Sequence, residues 1–448
     1  MSFLAAGSLQ VAVEKAEGRV CLEKKGDYDT SGARVALTLC ATEGQAGEDR
    51  IIAALEAMYQ VMSCKSYLRR VVKAQSFQEE MASFRENLDD RGSSMNCALV
   101  ALVAHSERPG WLLGPDGKEV QEKELVRELN HCQALWGKAK VFLLLDIHNT
   151  DLGSIAFLST LTDVCRHFPH WHLLEVLTQV IGKVTQEMPP TGHRCPIFQS
   201  SLRGALYLGR RRSQGLELSP IPQGVYDTSG AKVALVLCVT RDRPGAKQDL
   251  KALKRLFQTL GFKSILKMNP TAQDFRKELT RFRELLDARR TNVSCALVAL
   301  MAHGEPQGRL LGADGQMVEV EEMVSELSAC QVLQGKAKVV LLQGCRGDVS
   351  SKGYSPKNPD QVDILRVYSA AEGYVAYRNE NGSDFIQTLV QVIIANPDQD
   401  LLELLTEVNK RLCEMEVRGP DCDEIRKMSV EIQSSLRKQL YLKSQLSN

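Results

Sequence analysis

Nowhere in the 448 residues is there an apolar run near the roughly 18 to 20 residues that a bilayer-spanning helix needs, so no such helix is expected. Nor does either charge sign prevail. The 56 basic and 55 acidic residues leave a net charge of +1, which gives no bulk attraction to nucleic acid or anionic lipid. The N-terminus, MSFLAAGSLQVAVEKAEG, has no basic leader and only a broken apolar run, unlike a secretion signal. Hydrophobic residues (44%) and charged residues (25%) stand in the proportions of a core-forming globular protein. The length suggests about two or three domains. The 13 cysteines therefore read as reduced thiols of a cytoplasmic protein. Several of them, Cys40, Cys97, Cys238 and Cys295, border apolar runs, as small buried hydrophobes do.

The sequence contains itself twice. DTSGARVAL at 29–37 recurs as DTSGAKVAL at 227–235, CALVAL at 97–102 recurs at 295–300, and CQALWGKAKV at 132–141 recurs as CQVLQGKAKV at 330–339. All three pairs share one offset. A fourth pair, QSSLRGALYL at 199–208 and QSSLRKQLYL at 433–442, is offset further. Repeat 2 runs from Cys345 to Phe385 through a long segment, whereas repeat 1 passes from Ile147 to Phe157 directly. About thirty residues of repeat 2 thus have no counterpart. So long a period means two copies of a whole domain rather than a solenoid. The expected organisation is an N-terminal extension 1–26, a first domain 27–208, a linker 209–224 rich in Gly, Pro and Ser, and a second domain 225–443.

Strand and helix patterns alternate in each copy. In repeat 2, AKVALVLCV (231–239), CALVALMAH (295–303) and KVVLLQGC (338–345) are continuous apolar runs of the kind buried parallel strands require. QDLKALKRLFQTLGF places Leu250, Leu253, Leu256, Phe257 and Leu260 on one helical stripe, and the next helix places Phe275, Leu279, Phe282, Leu285 and Leu286 on one face. The implied fold class is α/β, two domains each with a mainly parallel sheet between helices. Ligands of such sheets sit beyond the carboxyl ends of the strands. His303 and Cys345 stand at two such ends, one helical crossover apart. A thiol is nucleophilic only as thiolate, and an imidazole can take its proton. Backbone N–H groups in the turns at Gly304 and Arg346-Gly347 could hold an oxyanion.

LLQGCRGD (341–348) resembles the caspase signature Q-A-C-[RQG]-G, whose His lies upstream. VALMAHGE and VYSAAEGYVAYRNENGSDFIQTLVQV resemble further parts of that family, and the likeness covers essentially all of repeat 2. It implies an aspartate-directed cysteine endopeptidase with Cys345 as nucleophile, His303 as general base and then acid, and Gly304 at the oxyanion hole. It also implies a pocket of Arg243, Gln343 and Arg378 for the substrate's Asp, since guanidiniums grip a carboxylate bidentately. Gly344 departs from the family's usual Ala, and a glycine beside the nucleophile is expected to loosen it and lower efficiency. The resemblance further implies a zymogen cut between a large subunit (225–348) and a small subunit (364–443), with Asp363 the expected processing site in the intersubunit linker 349–363. Substrates would be proteins with Asp at the cleaved position, and roles in cell death or epithelial differentiation come with the family.

Repeat 1 keeps His105 but has Ser106 for Gly304, Ile147 for Cys345, Leu145 for Gln343 and Gln45 for Arg243, and it lacks the Arg378 segment. A pseudo-protease is expected there, pairing with repeat 2 as an intramolecular pseudo-dimer or leaving the chain to form a homodimer. The competing reading is a non-catalytic pseudo-caspase that regulates true caspases. CRHFPHWH (165–172) with His193 and Cys195 matches no structural zinc spacing, so no metal and no cofactor are expected.

Overall fold

The computed structural model describes residues 8–12, 27–41, 47–91, 95–106, 110–146, 152–187, 195–209, 224–288, 292–305, 308–344, 361–370, 376–415, 417–418, 425–426 and 428–443. The chain divides into two compact units near residue 224. Each is α/β, with a mainly parallel sheet flanked by helices.

The first unit carries the helices α1 (Glu48–Val61), α2 (Ala74–Asp90), α3 (Glu122–Asn130), α4 (Leu152–His167) and α5 (Leu173–Glu187). The second carries α6 (Ala246–Leu260), α7 (Ala272–Asp287), α8 (Val320–Ser328), α9 (Asp384–Ala395) and α10 (Leu401–Glu414).

In the second unit the strands run in the order Phe262–Met268, Ala231–Cys238, Val293–Met301, Ala337–Gln343, Ile364–Tyr368 and Glu431–Ser434. The first five are parallel and the last is antiparallel. The two central strands, Val293–Met301 and Ala337–Gln343, are buried throughout because helices cover both faces. One face packs Val233, Leu235, Val298 and Leu300 on Phe275, Leu279 and Phe282 of α7 and on Met323 of α8. On α7, Leu285 departs from the expected stripe and is 43% exposed, because Leu286 takes the inward position at the end of the helix. A capping box of Thr271 and Asp274 starts that helix. On α6, Leu253, Leu256, Phe257 and Leu260 are buried as the pattern predicts, together with Asp249.

The first unit repeats the parallel part: Cys64–Arg70, Ala33–Cys40, Met95–Ala104 and Ala139–Asp146 are consecutive parallel neighbours. Its core joins Val35, Leu37, Val100 and Phe142 to Phe77 and Phe84 of α2. The place that Ile364–Tyr368 fills in the second unit falls within the residues repeat 1 lacks. In the first unit that place, between Ala139–Asp146 and Phe198–Ser200, is taken by Ser8–Ala12, antiparallel to the former and parallel to the latter. Part of the expected N-terminal extension is therefore a strand of this unit. Without it the backbone amides and carbonyls of both neighbours would lack partners along that line.

Among the described residues most cysteines are buried. Cys97 and Cys295 are fully buried in the third strands, where burial pushes each thiol up to about 12, and neither is a thiolate near neutral pH.

Candidate active site

The strands that carry the two reactive positions are parallel neighbours, with Met301 opposite Gln343. His303 follows Met301 by two positions and Cys345 follows Gln343 by two. Cys345 itself, with Arg346 to Asp348, lies outside the described residues, as do Gln45 and Ile147 of repeat 1. His303 and Gly304 begin a short strand, His303–Glu305, that turns back to pair with Arg309–Leu311. His303 is half-buried there.

The ends of the two neighbouring strands approach closely. The Ala302 amide donates to the Gln343 carbonyl at 3.2 Å. A Cβ built on Gly344 would lie 2.7 Å from the Ala302 carbonyl oxygen and 3.1 Å from the Gly304 nitrogen. The glycine thus permits an approach between the two loop starts that an alanine would obstruct. The Ser369 hydroxyl fixes the same residue from the other side: it accepts from the Gly344 amide at 3.2 Å and donates to the Gly344 carbonyl at 3.0 Å.

Beside these strand ends, Arg243, Gln343 and Arg378 come together. The Gln343 amide oxygen accepts from Arg243 Nη2 and, at 3.3 Å, from Arg378 Nη1. Arg243 also donates to the backbone carbonyls of Val239 (2.9 Å) and Gln343 (3.2 Å) and is 4% exposed. Arg378 Nε donates to the Pro244 carbonyl at 2.8 Å. Burial, with the neighbouring Arg378 charge adding to it, pulls Arg243 down to about 10, which still leaves it a cation at neutral pH.

Two glycines make this convergence possible. Gly245, at φ 72°, precedes α6, and a Cβ there would lie 2.1 Å from the Asn379 carbonyl oxygen. Gly382, at φ 119°, lies against Asp249, whose Oδ1 would be 2.4 Å from an added Cβ. Both positions need the left-handed region that glycine enters at little cost, and both let the Arg378–Asn379 hairpin lie against the start of α6. Asp249, which the sequence alone marks only as an acidic residue early in a helix, is fully buried beneath this hairpin. Ser369 is equally silent in the sequence, since a serine after a strand carries no local signal of its partner.

The expected cut after Asp363 meets an obstacle in the fold. Asp363 is 1% exposed and adopts φ 63°. Its carboxylate accepts from the Tyr226 hydroxyl at 2.6 Å and from Arg437 at 2.8 and 2.7 Å. Its backbone accepts from the Lys338 amide and donates to Ser435. A protease needs an extended, accessible segment, so cutting here would first require drawing out the start of Ile364–Tyr368. Asp348 and Asp360 lie outside the described residues.

In the first unit His105 occupies the matching strand end, and Leu145, 2% exposed, stands where Gln343 stands in the second. His172 starts α5, its Nδ1 accepting from the Leu174 amide at 3.1 Å. His193 lies outside the described residues; among those described, no three His, Cys, Asp or Glu residues cluster as metal ligands would.

Residues 231–441 match the caspase domain. The chain is 45% identical over 234 residues to "Caspase-14" of Homo sapiens, covering 48% of this chain and 95% of that protein. It is 40% identical over 251 residues to "Caspase-14" of Mus musculus, covering 50% of this chain and 96% of that protein. It is 28% identical over 208 residues to "Putative inactive caspase B" of Caenorhabditis elegans, covering 40% of this chain and 76% of that protein. With nearly the whole of a 45%-identical caspase covered, the chain belongs to the caspase family.

Proposed function

We propose that the second unit is a cysteine endopeptidase that cleaves peptide bonds after Asp. The observation that carries this reading is the meeting of Arg243, Gln343 and Arg378 beside the strand end that bears His303. Two guanidiniums bridged by one amide oxygen form a hole that suits a single carboxylate and repels lysine or arginine. In the reaction His303 takes the Cys345 proton. The thiolate adds to the backbone carbonyl carbon of the substrate's Asp, the Gly304 amide supports the oxyanion, and His303 then protonates the departing amine of the following residue. Water, deprotonated by His303, hydrolyses the thioester and restores the thiol.

The test is turnover of fluorogenic peptides ending in Asp or Asn, in kosmotropic salt, with Cys345→Ala as control. Cleavage of the Asp peptide, abolished in Cys345→Ala, supports the enzyme; equal signal from both proteins ends it.

A non-catalytic role suits the first unit, where Leu145 and Ser106 replace a pocket residue and the Gly304 counterpart. In that part of the proposal the first copy is a pseudo-protease tethered to its active sibling. Covalent tethering typically gives an effective concentration of around millimolar, so the chain would pair within itself. A stable dimer of full-length chains in sedimentation would contradict the tethered arrangement. If no Asp peptide is turned over, the whole chain becomes a regulator of other caspases. Maturation, in this reading, cuts the 348–360 segment, and the site of action, carried over from the family, is the cytoplasm.

A further inference from the structure

Asp249 is the fourth residue of α6, and its side chain is fully buried. Its Oδ1 accepts from the Ser383 amide at 2.8 Å and from Gln387 Nε2 at 2.9 Å. These two bonds turn Oδ2 toward Arg378, whose Nη2 lies 3.4 Å away. Arg378 is thereby held at three points: its Nε by the Pro244 carbonyl, its Nη1 by Gln343 and its Nη2 by Asp249. A long side chain carries much rotamer entropy, and a guanidinium without such ties would sample many positions at the mouth of the pocket. Two cations so close also repel each other, which adds to the effect of burial in drawing Arg243 down. A buried carboxylate beneath one of them offsets that repulsion.

The first copy supplies an internal control. Gly47 precedes α1 in the left-handed region as Gly245 precedes α6, and the fourth residue of α1 is Ile51, also fully buried. This copy lacks the segment that bears Arg378, and there the carboxylate has been replaced by an apolar side chain. An acid needed only to start the helix would have no reason to vanish together with the arginine. The pairing of the two losses points to a partnership between Asp249 and Arg378.

We propose that Asp249 is a positioning residue that aims the Arg378 guanidinium at the substrate's aspartate and so sets discrimination for Asp; this rests on the peptidase reading above. Asp249 touches no reacting atom. It acts through Arg378, and its removal should weaken recognition of the Asp side chain more than it slows the chemistry.

The experiment compares the full-length wild-type chain with Asp249→Asn, which keeps shape and the capacity to accept from Ser383 but removes the charge. Turnover of two peptides differing only in Asp or Asn at the cleaved position gives KM and kcat separately. Fluorescence anisotropy with an unreactive product peptide ending in Asp gives binding without chemistry. Misplacing a positioned group by about 1 Å costs up to about a hundredfold, so KM for the Asp peptide should rise about 10- to 100-fold, kcat should change less, and discrimination against Asn should shrink with KM. Wild-type KM and wild-type discrimination in Asp249→Asn would overturn the proposal. Should Asp249→Asn not fold, Gln387→Leu decides: it leaves both charges in place but frees Oδ1, with KM expected to rise by about 3- to 10-fold, in keeping with one lost hydrogen bond. An unchanged KM there also overturns it. A wild-type chain that neither cleaves nor binds Asp over Asn would instead bring down the pocket reading itself, and this inference with it. That result is distinct from selectivity that survives in the variant.

Discussion

The Ser369 hydroxyl holds both backbone polar groups of Gly344, the residue immediately before Cys345: the amide at 3.2 Å and the carbonyl at 3.0 Å. A Cβ on Gly344 would meet the Ala302 carbonyl, so the residue before Cys345 is hydrogen-bonded on one side and has no room for a side chain on the other. Beside the expected loosening by glycine stand these two bonds from Ser369, which tether the same residue. Gly344→Ala should place a methyl group against backbone that has little room to move. Overpacking of this kind costs roughly 1–3 kcal/mol, and kcat/KM should fall by about tenfold or more. Ser369→Ala should lower kcat while leaving the Asp preference intact. Faster turnover in Gly344→Ala would mean that the family's usual alanine fits after all.

The pocket makes a sharper demand on residue type. Arg378→Lys keeps the charge but loses the planar fork that reaches Pro244, Gln343 and Asp249 together. A lost charge-assisted hydrogen bond is worth about 1.5–3 kcal/mol, so kcat/KM for an Asp peptide should drop about 10- to 100-fold. Arg243→Lys should also lower stability, since Arg243 is buried and ties Val239 to Gln343. Steady-state kinetics with thermal melts separates the two effects; full activity in Arg378→Lys would count against the pocket.

Asp363 should behave as an anchor. Its carboxylate joins Tyr226 near the start of the unit to Arg437 near its end. Breaking a buried ion pair by removing one partner costs about 3–5 kcal/mol, so Asp363→Ala should lower the melting temperature markedly. Proteolytic fragments, sized by mass spectrometry, should still end within 348–360. Fragments of the wild type that end at Asp363 would restore the cut the sequence suggests.

Much of the sheet was legible because its strands are buried on both faces. Runs such as CALVAL admit no polar residue, and they recur at one offset along the chain. The pocket residues came through likeness to a family; no periodicity assigns Arg243 to Arg378 across so long a stretch of chain. What stayed hidden depends on long-range partners. Asp249 reads locally as a first-turn acid, Asp363 as one more polar residue of a linker, and Leu285 as one more apolar residue of a stripe. The segment Ser8–Ala12 reads as a broken apolar run, and nothing near it in sequence announces a gap beside Ala139–Asp146.

The two units should respond to acid with opposite signs. His172 starts α5, and burial holds it at about 4 against an ordinary 6.5. A folded-state value below the unfolded one gives stability that is present above pH 6.5 and lost as the pH falls toward 4. Asp400 starts α10, and burial lifts it to about 7 from 3.8, against the backbone bonds from Leu440 and Leu402. A raised carboxyl favours the fold most below pH 3.8, and that stability is lost as the pH rises toward 7. Hydrogen exchange, corrected for its intrinsic pH dependence, should show the first turn of α5 loosening between pH 6.5 and 5 while that of α10 tightens. His172→Asn should remove the first response alone. Parallel behaviour of the two helices would refute the assignment.

The N-terminal strand offers the most direct test of how the shortened copy completes its sheet. Five residues, Ser8–Ala12, pair with Ala139–Asp146 on one side and Phe198–Ser200 on the other. Each lost backbone hydrogen bond costs about 1 kcal/mol net, and more where the freed group stays buried. Deleting residues 1–12 from the full chain should therefore raise exchange at 139–146 and 198–200 by orders of magnitude. The second unit's strand 231–238, whose neighbours are 262–268 and 293–301, should keep its protection. Unchanged exchange at 139–146 in the deletion would mean that the first unit closes its sheet without this segment.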